Sequence, residues 1–400
     1  MRFEEKPANF PASMRVKSLR SLMSLAAAAL LVSNPSPAQK VEVDISACPL
    51  MFNVLKAMKD GLPRDKISGI LDSVLAAVPY QIMFKHYNRS WRPNHLPKDV
   101  FKRMILSLRF EGEYSPGENE RADKMLEKWR EFYGNLPLFE KNLRQLEKAD
   151  LMGLINDGLR YAQSWLPPDW KIPDFRVFVH PNGGSTAFSI DGTQGYDFYQ
   201  LPRDASSDID WDQLIGTISH ESHHSGMKGS TSSSMTPSDS LALRFLSFFV
   251  GEGTATKFIS NAPGGCVPAV PGGRFHAFKG ELTVAWNNYT SEETEIFRRM
   301  IATFEKAYSG GMTAEDLDTE MRDYWFSGFL GRAYFVGAEL FGAIFHAFGK
   351  TGVFAAMEDP RKIFELYNRS IEKKPELLGG CFRIPKPAVR QALAIGQIQK

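Results

Sequence analysis

Between residues 50 and 165, apolar positions recur at intervals of three and four, as in LMFNVLKAMKDGL, DKISGILDSVLAAV, DVFKRMILSLRF, ADKMLEKWREFY and LMGLINDGLRYAQSWL. That period gives a helix one apolar face. Breaks at Gly61-Leu62-Pro63, Trp91-Arg92-Pro93, Ser115-Pro116-Gly117 and Gly134 to Pro137 divide the stretch into several helices. The texture changes after Pro167. In FRVFVHPNGGSTAFSI the Val- and Phe-rich alternation predicts one or two strands joined by a turn at Asn182-Gly183-Gly184. Past Ser207 the helical period returns, interrupted by the Gly/Pro-rich loop NAPGGCVPAVPGG. The pattern predicts a predominantly helical α+β fold. A helical N-terminal region covers 39–166. A second region, 167–400, holds a strand part at 172–200, helices at 208–226 and 238–259, and a helical C-terminal part at 276–400.

The N-terminus carries a different signal. The basic stretch MRVKSLR precedes SLMSLAAAALLVS, thirteen uncharged residues, and then the turn-forming run NPSPAQ. Thirteen residues are too few to cross a bilayer, which takes about twenty. A basic flank, a short apolar run and a small-x-small site at Ser36 and Ala38 read as a secretory signal peptide over 1–38, cleaved near Ala38. The expected location is therefore periplasmic or extracellular. The Phe-rich stretch around Phe326 to Gly349 is interrupted by Arg332, Glu339 and His346, so no transmembrane segment is expected in the mature chain.

Composition narrows the partners. The chain has 400 residues, 43% hydrophobic and 24% charged, which is globular usage and excludes disordered, collagen-like and coiled-coil classes. Its 48 basic and 46 acidic residues leave a net charge of +2, far from what a nucleic-acid binder needs. Three cysteines without a C-x-x-C pair exclude a Cys-rich zinc module and allow one disulfide at most. Cys266 and Cys381 both lie beside Gly-Gly pairs in predicted loops, where an oxidising compartment can join them.

The candidate chemistry sits in SDIDWDQLIGTISHESHHSGM, where Ser207 or Asp208 is the expected N-cap and Trp211, Leu214, Ile215 and Ile218 form an apolar stripe. Within this helix, His220-Glu221-Ser222-His223-His224 is an H-E-x-x-H match. Four-residue spacing puts His220 and His224 on one face, one turn apart, where two imidazoles converge on one ion. Glu221 stands beside that ion, placed to take a proton from water as general base. His223 points away and reads as a solvated residue or one behind the ligands.

A third ligand comes from SDSLALRFLSFFVGEGTATKFIS. Here Glu252 shares the helical period of Leu241, Phe245, Phe248, Phe249, Ala255 and Ile259, and so faces inward. An inward carboxylate needs a partner, because burying it alone costs several kcal/mol or forces protonation. A dication shared with the two histidines is one partner; an arginine such as Arg244 or Arg332, or a route to solvent, are others. Gly251 and Gly253 permit close approach of a backbone or a substrate. Two histidines, a glutamate and an open position make a catalytic rather than a structural zinc site.

His220-Glu221-x-x-His224 followed by Gly251-Glu252-Gly253-x-Ala255 resembles the gluzincin metallopeptidases, and most closely bacterial zinc-dependent peptidase families of unassigned function. The resemblance implies Zn2+, peptide-bond hydrolysis, a cleft between strand and helical parts, and an edge strand that aligns substrate. Some gluzincins carry an Asp four residues after the glutamate ligand to orient a histidine; here that position is Thr256. The resemblance also points to a Tyr-x-x-Gly element, matched by Tyr334 and Gly337, with Tyr334 as donor to the oxyanion and His346 as a weaker candidate. The edge strand maps to Gly183–Ile190, with Gly184, Ser185 and Ala187 as substrate-binding positions. His180 reads as packing or solvated. The expected partner is a peptide or protein substrate, and nucleic acid is not expected. Two other readings share these residues: a catalytically silent gluzincin-like module that binds a peptide or cell-envelope partner, and another zinc-dependent amide hydrolase.

Overall fold

A computed structural model describes residues 41–89, 94–229, 235–275, 278–328 and 330–397, so the signal-peptide segment 1–38 lies outside the described residues. The fold is the predicted one, predominantly helical α+β. The chain opens with strand β1 (Val41–Asp44) and seven helices: α1 (Ala47–Lys59), α2 (Arg64–Leu75), α3 (Val78–Tyr87), α4 (Lys98–Leu106), α5 (Glu120–Gly134), α6 (Leu136–Lys148) and α7 (Leu151–Gln163). Their apolar faces bury Phe52, Phe101, Trp129, Phe132 and Phe139, a nucleus of edge-to-face rings.

The sheet adds β2 (Phe175–His180), β3 (Ala187–Ile190) and β4 (Thr193–Asp197), in the order β1-β2-β4-β3. β1, β2 and β4 run parallel, with Val41 opposite Phe175 and Val177 opposite Gln194, and β3 runs antiparallel to β4 at the edge. This corrects the expected hairpin. β2 and β3 are not paired through a turn at Asn182-Gly183-Gly184; β4 lies between them, and the tight turn is Asp191-Gly192, where both residues have positive φ of 48° and 69°. The Asn182–Gly184 corner is instead fastened by a buried carboxylate, Asp197, which accepts from the backbone N–H groups of Asn182 (2.8 Å) and Gly183 (3.0 Å).

Helix α8 (Trp211–Gly226) follows, then α9 (Pro237–Thr254), which runs into one π-helical turn at Ala255–Ile259. The C-terminal part comprises α10 (Glu281–Ser291), α11 (Glu293–Tyr308), α12 (Ala314–Glu320), α13 (Arg332–Glu358), α14 (Ile363–Lys373), α15 (Pro375–Leu378) and α16 (Lys386–Ala394). By length and composition alone α13 could span a bilayer, yet most of its apolar residues, Phe335, Val336, Leu340, Phe341 and Ile344 among them, are buried in the protein core. α13 crosses α9 through glycine on glycine: a Cβ on Gly253 would stand 2.3 Å from the carbonyl carbon of Gly337. Cys266 and Cys381 are joined in a disulfide that ties the loop after α9 to the segment before α16. Two buried carboxylates reinforce the same loop. Glu339 of α13 accepts from the Val267 N–H at 2.8 Å, and Glu293 of α11 accepts from the Cys266 N–H.

Candidate metal centre

Helix α8 begins at a different cap from the one expected. Asp208 is engaged by Lys141 and Gln145 of α6, and Asp210 caps instead, accepting from the Gln213 N–H at 3.1 Å. Leu214, Ile215 and Ile218 are buried as the stripe required. Gly158 of α7 lets the two helices meet closely, since a Cβ there would fall 2.4 Å from Ser219 Oγ. β4 is tied to α8 by a short polar chain: Tyr196 donates to Gln194 Oε1 (2.7 Å), and the Gln194 amide donates to Ser222 Oγ (3.2 Å). The face carrying His220, Glu221 and His224 is thereby fixed from the sheet side.

The structure brings His220, His224 and Glu252 together. Glu252 Oε2 lies 3.4 Å from His220 Nε2 and 3.2 Å from His224 Nε2. That oxygen is buried and makes no hydrogen bond among the described residues, so the two imidazoles face it without satisfying it. Two ligand atoms about 2.0–2.1 Å from one tetrahedral ion stand about 3.3–3.4 Å from each other, so the donor set has the type and spacing that zinc takes. The arginine alternatives are otherwise engaged: Arg244 pairs with Asp318, and Arg332 stacks on the Tyr289 and Tyr324 rings. The other cluster of potential ligands among the described residues, Cys266, Glu293 and Cys381, has its sulfurs oxidised to the disulfide and offers no thiolate.

Electrostatics match the geometry. Burial opposes the Glu252 charge, but His224 and His220 beside it hold its carboxyl well below the usual carboxylate range. Burial likewise works against a charged His224, and the Glu252 carboxylate overrides it, taking the imidazole up to about 9. The pocket therefore favours a positive charge next to Glu252, and metal and protons compete for the same atoms.

On the far side of the ring from Glu252, His220 Nδ1 lies 2.9 Å from Ser260 Oγ. Thr256 is buried with its hydroxyl oxygen unpartnered. His223 points away from the pocket as expected but is fully buried rather than solvated. Its Nε2–H donates to the Trp165 carbonyl at 3.2 Å, and burial and the neighbouring His224 push its pKa down to about 3.

Tyr334 lies on the first turn of α13 with its ring centroid 6.4 Å from that of His220. Burial, then the Glu252 and Glu221 charges, raise its phenol well above the ordinary value, so it stays protonated as a donor. Glu221 is half-buried on the next position round α8, close enough to Tyr196 and Tyr334 for its charge to raise both. His346 is directed elsewhere, to the Pro268 carbonyl at 3.1 Å. His180 packs edge-on to Tyr80 in the interior.

The substrate-strand residues divide. Ala187 stands opposite Tyr196 in the edge pairing, and Tyr196 is the strand residue whose phenol the Glu221 charge raises. Gly184 and Ser185 lie further out, in a basic hollow with Arg121, Lys124 and Lys128. Their N–H groups donate to Asn182 Oδ1 (2.6 Å) and the Tyr87 hydroxyl (2.7 Å). Ser260 was not singled out from sequence, and its π-helical approach leaves no signature in the string ATKFIS.

A family model described as "Putative zinc dependent peptidase (DUF5700)" matches residues 71–376, so the chain belongs to that family. The match includes the H-E-x-x-H helix, Glu252 and Tyr334. Neither the curated proteins nor the solved structures give a match.

Proposed function

We propose that this member of the zinc-dependent peptidase family is an exported hydrolase of peptide bonds, with His220, His224 and Glu252 holding Zn2+ and Glu221 as general base. The observation that carries the reading is the unsatisfied Glu252 oxygen at 3.4 Å and 3.2 Å from two imidazole nitrogens of an H-E-x-x-H helix. When bound, zinc supplies Lewis acidity, which acidifies a water and polarises the scissile carbonyl. Glu221 takes the proton of the attacking water and passes it to the leaving amine. Tyr334, kept protonated, donates a hydrogen bond to the developing oxyanion and shares its charge. The substrate backbone pairs with the antiparallel edge strand at Ala187, whose partner Tyr196 feels the Glu221 charge. Export is supported by the basic and apolar N-terminal run and by the Cys266–Cys381 disulfide, a bond that oxidising compartments sustain.

Metal analysis of the purified protein and cleavage of a mixed peptide library, with and without chelator, test this. About one zinc per chain is expected. Glu221→Gln is expected to retain the metal and cleave about 10²–10⁴-fold more slowly. Cleavage by Glu221→Gln at the wild-type rate would refute the mechanism, and metal binding without any cleavage by the wild type would favour the silent binding module.

A further inference from the structure

The two histidines of the pocket are held differently. His224 Nδ1 lies beside Gly251, where a Cβ would come within 3.7 Å of that nitrogen. His220 has a side chain there: Ser260 Oγ, at 2.9 Å from Nδ1. Nε2 of His220 faces Glu252, so it carries the lone pair when a cation is held. The ring proton then resides on Nδ1, and the atom that accepts it is Ser260 Oγ.

The backbone explains why a residue eight positions beyond Glu252 does this. On a regular helix the Glu252 face recurs after seven residues, at Ile259, an apolar side chain. The Ala255–Ile259 segment is π-helical, closed by the Ser260 N–H donating to the Ala255 carbonyl at 2.9 Å. One inserted residue advances the register by one position, and Ser260 takes the place Ile259 would have had. Thr256, one regular turn beyond Glu252, is buried with its hydroxyl oxygen unpartnered and does not substitute for it. A single rod thus faces His220 at both nitrogens, with Glu252 3.4 Å from Nε2 and Ser260 2.9 Å from Nδ1.

We propose that Ser260 is a positioning residue for the metal pocket: its hydroxyl oxygen accepts the His220 Nδ1 proton, fixing tautomer and ring plane, and the π-helical turn delivers it there. The proposal rests on the metal-ligand reading above. It concerns metal affinity and ligand orientation, not the chemical step.

The test uses the full chain as Ser260→Ala, Ser260→Thr and Glu252→Ala. Zinc affinity is measured by competition with a chromogenic chelator, the visible spectrum is recorded after Co2+ loading, and thermal midpoints are taken metal-free. Ser260 is half-buried, so Ser260→Ala removes little beyond the acceptor. It is expected to bind zinc about 10–100-fold more weakly and to alter the Co2+ spectrum, with the metal-free midpoint unchanged. Ser260→Thr, which keeps the hydroxyl, is expected to restore both affinity and spectrum. Wild-type affinity and spectrum in Ser260→Ala, or a lowered metal-free midpoint with unchanged affinity, would overturn the proposal, as would equal impairment in Ser260→Thr. Glu252→Ala separates the two levels. If it loses zinc while Ser260→Ala does not, only the positioning role falls; if it keeps wild-type affinity, the ligand reading itself falls and this proposal with it.

Discussion

The crossing of α9 and α13 permits a sharp test, because two glycines flank the same glutamate and the structure assigns them opposite fates. A Cβ on Gly253 would stand 2.3 Å from the Gly337 carbonyl carbon and 2.5 Å from both its Cα and its oxygen. All three are backbone atoms, so no side chain can swing aside. Carbon atoms settle about 3.5 Å apart, which leaves Gly253→Ala short by about 1 Å and forces the helices to part. Overpacking of this kind costs up to about 3 kcal/mol, and the better helix propensity of Ala returns about 1 kcal/mol, for a net loss of about 2 kcal/mol. The same displacement reaches the pocket. Glu252 is the residue before Gly253, and Tyr334 lies one turn before Gly337, so the crossing sets the spacing between the phenol and the proposed metal ligands. A misplacement of about 1 Å is expected to cost about 10²-fold in kcat/KM.

Gly251→Ala is the matched control. Its Cβ would meet His224 Nδ1 at 3.7 Å and Met227 Sδ at 3.8 Å, which is ordinary contact. The same propensity gain of up to about 1 kcal/mol is then unopposed, so stability at or slightly above wild type is expected. Guanidinium unfolding, zinc content and peptide cleavage are measured on both variants. Wild-type stability in Gly253→Ala would show that the helices do not touch there. Lost stability with full activity would show that the crossing does not set the position of Tyr334.

Two further predictions concern the frame around the site. Replacing both Cys266 and Cys381 by Ala is expected to lower unfolding stability by about 2–5 kcal/mol, since the bond closes a loop across a sequence separation of 115 residues; denaturant midpoints with and without reductant check this, and an unchanged midpoint would refute it. His180 is fully buried with neither ring nitrogen hydrogen-bonded among the described residues, and burial pushes its pKa from 6.5 down to about 3. The unfolded chain therefore binds a proton below pH 6.5 that the folded one refuses, so stability falls with acid by about 1.4 kcal/mol per pH unit between those values. His180→Phe, which keeps an aromatic ring against Tyr80, is expected to flatten the loss between pH 7 and 4.5, and an unchanged slope would count against it.

How much of this was legible in the sequence depends on the range of the interactions involved. The spacing of His220 and His224, the inward face of Glu252 and the amphipathic periods of the helices are all written within one or two turns, and the structure brings those three residues together. β1 escaped because its partner lies far along the chain, and β4 because its own residues carry no strand pattern. Val41 pairs with Phe175, and β4 is a fully buried TQGYD, whose Thr, Gln and Asp carry no apolar alternation. The expected hairpin failed for the same reason, since the strand inserted between β2 and β3 had no signal of its own. Within the pocket, the legible part is the set of atoms that could touch an ion, and the illegible part is what holds them still. Lys257 and Glu339, wholly buried with 3.8 Å between Nζ and Oε1, join the π-helical turn to α13, yet each looks like a surface residue in its own segment. Their burial is decided by the Gly253–Gly337 crossing, which lets the two helices approach, and the crossing by two glycines more than eighty residues apart. Ser260 depends on the same turn. The proposed ligands are thus specified by local spacing, whereas their rigidity is specified by one long-range contact between backbones, and variants at that contact are expected to alter the geometry of the pocket without touching a proposed ligand.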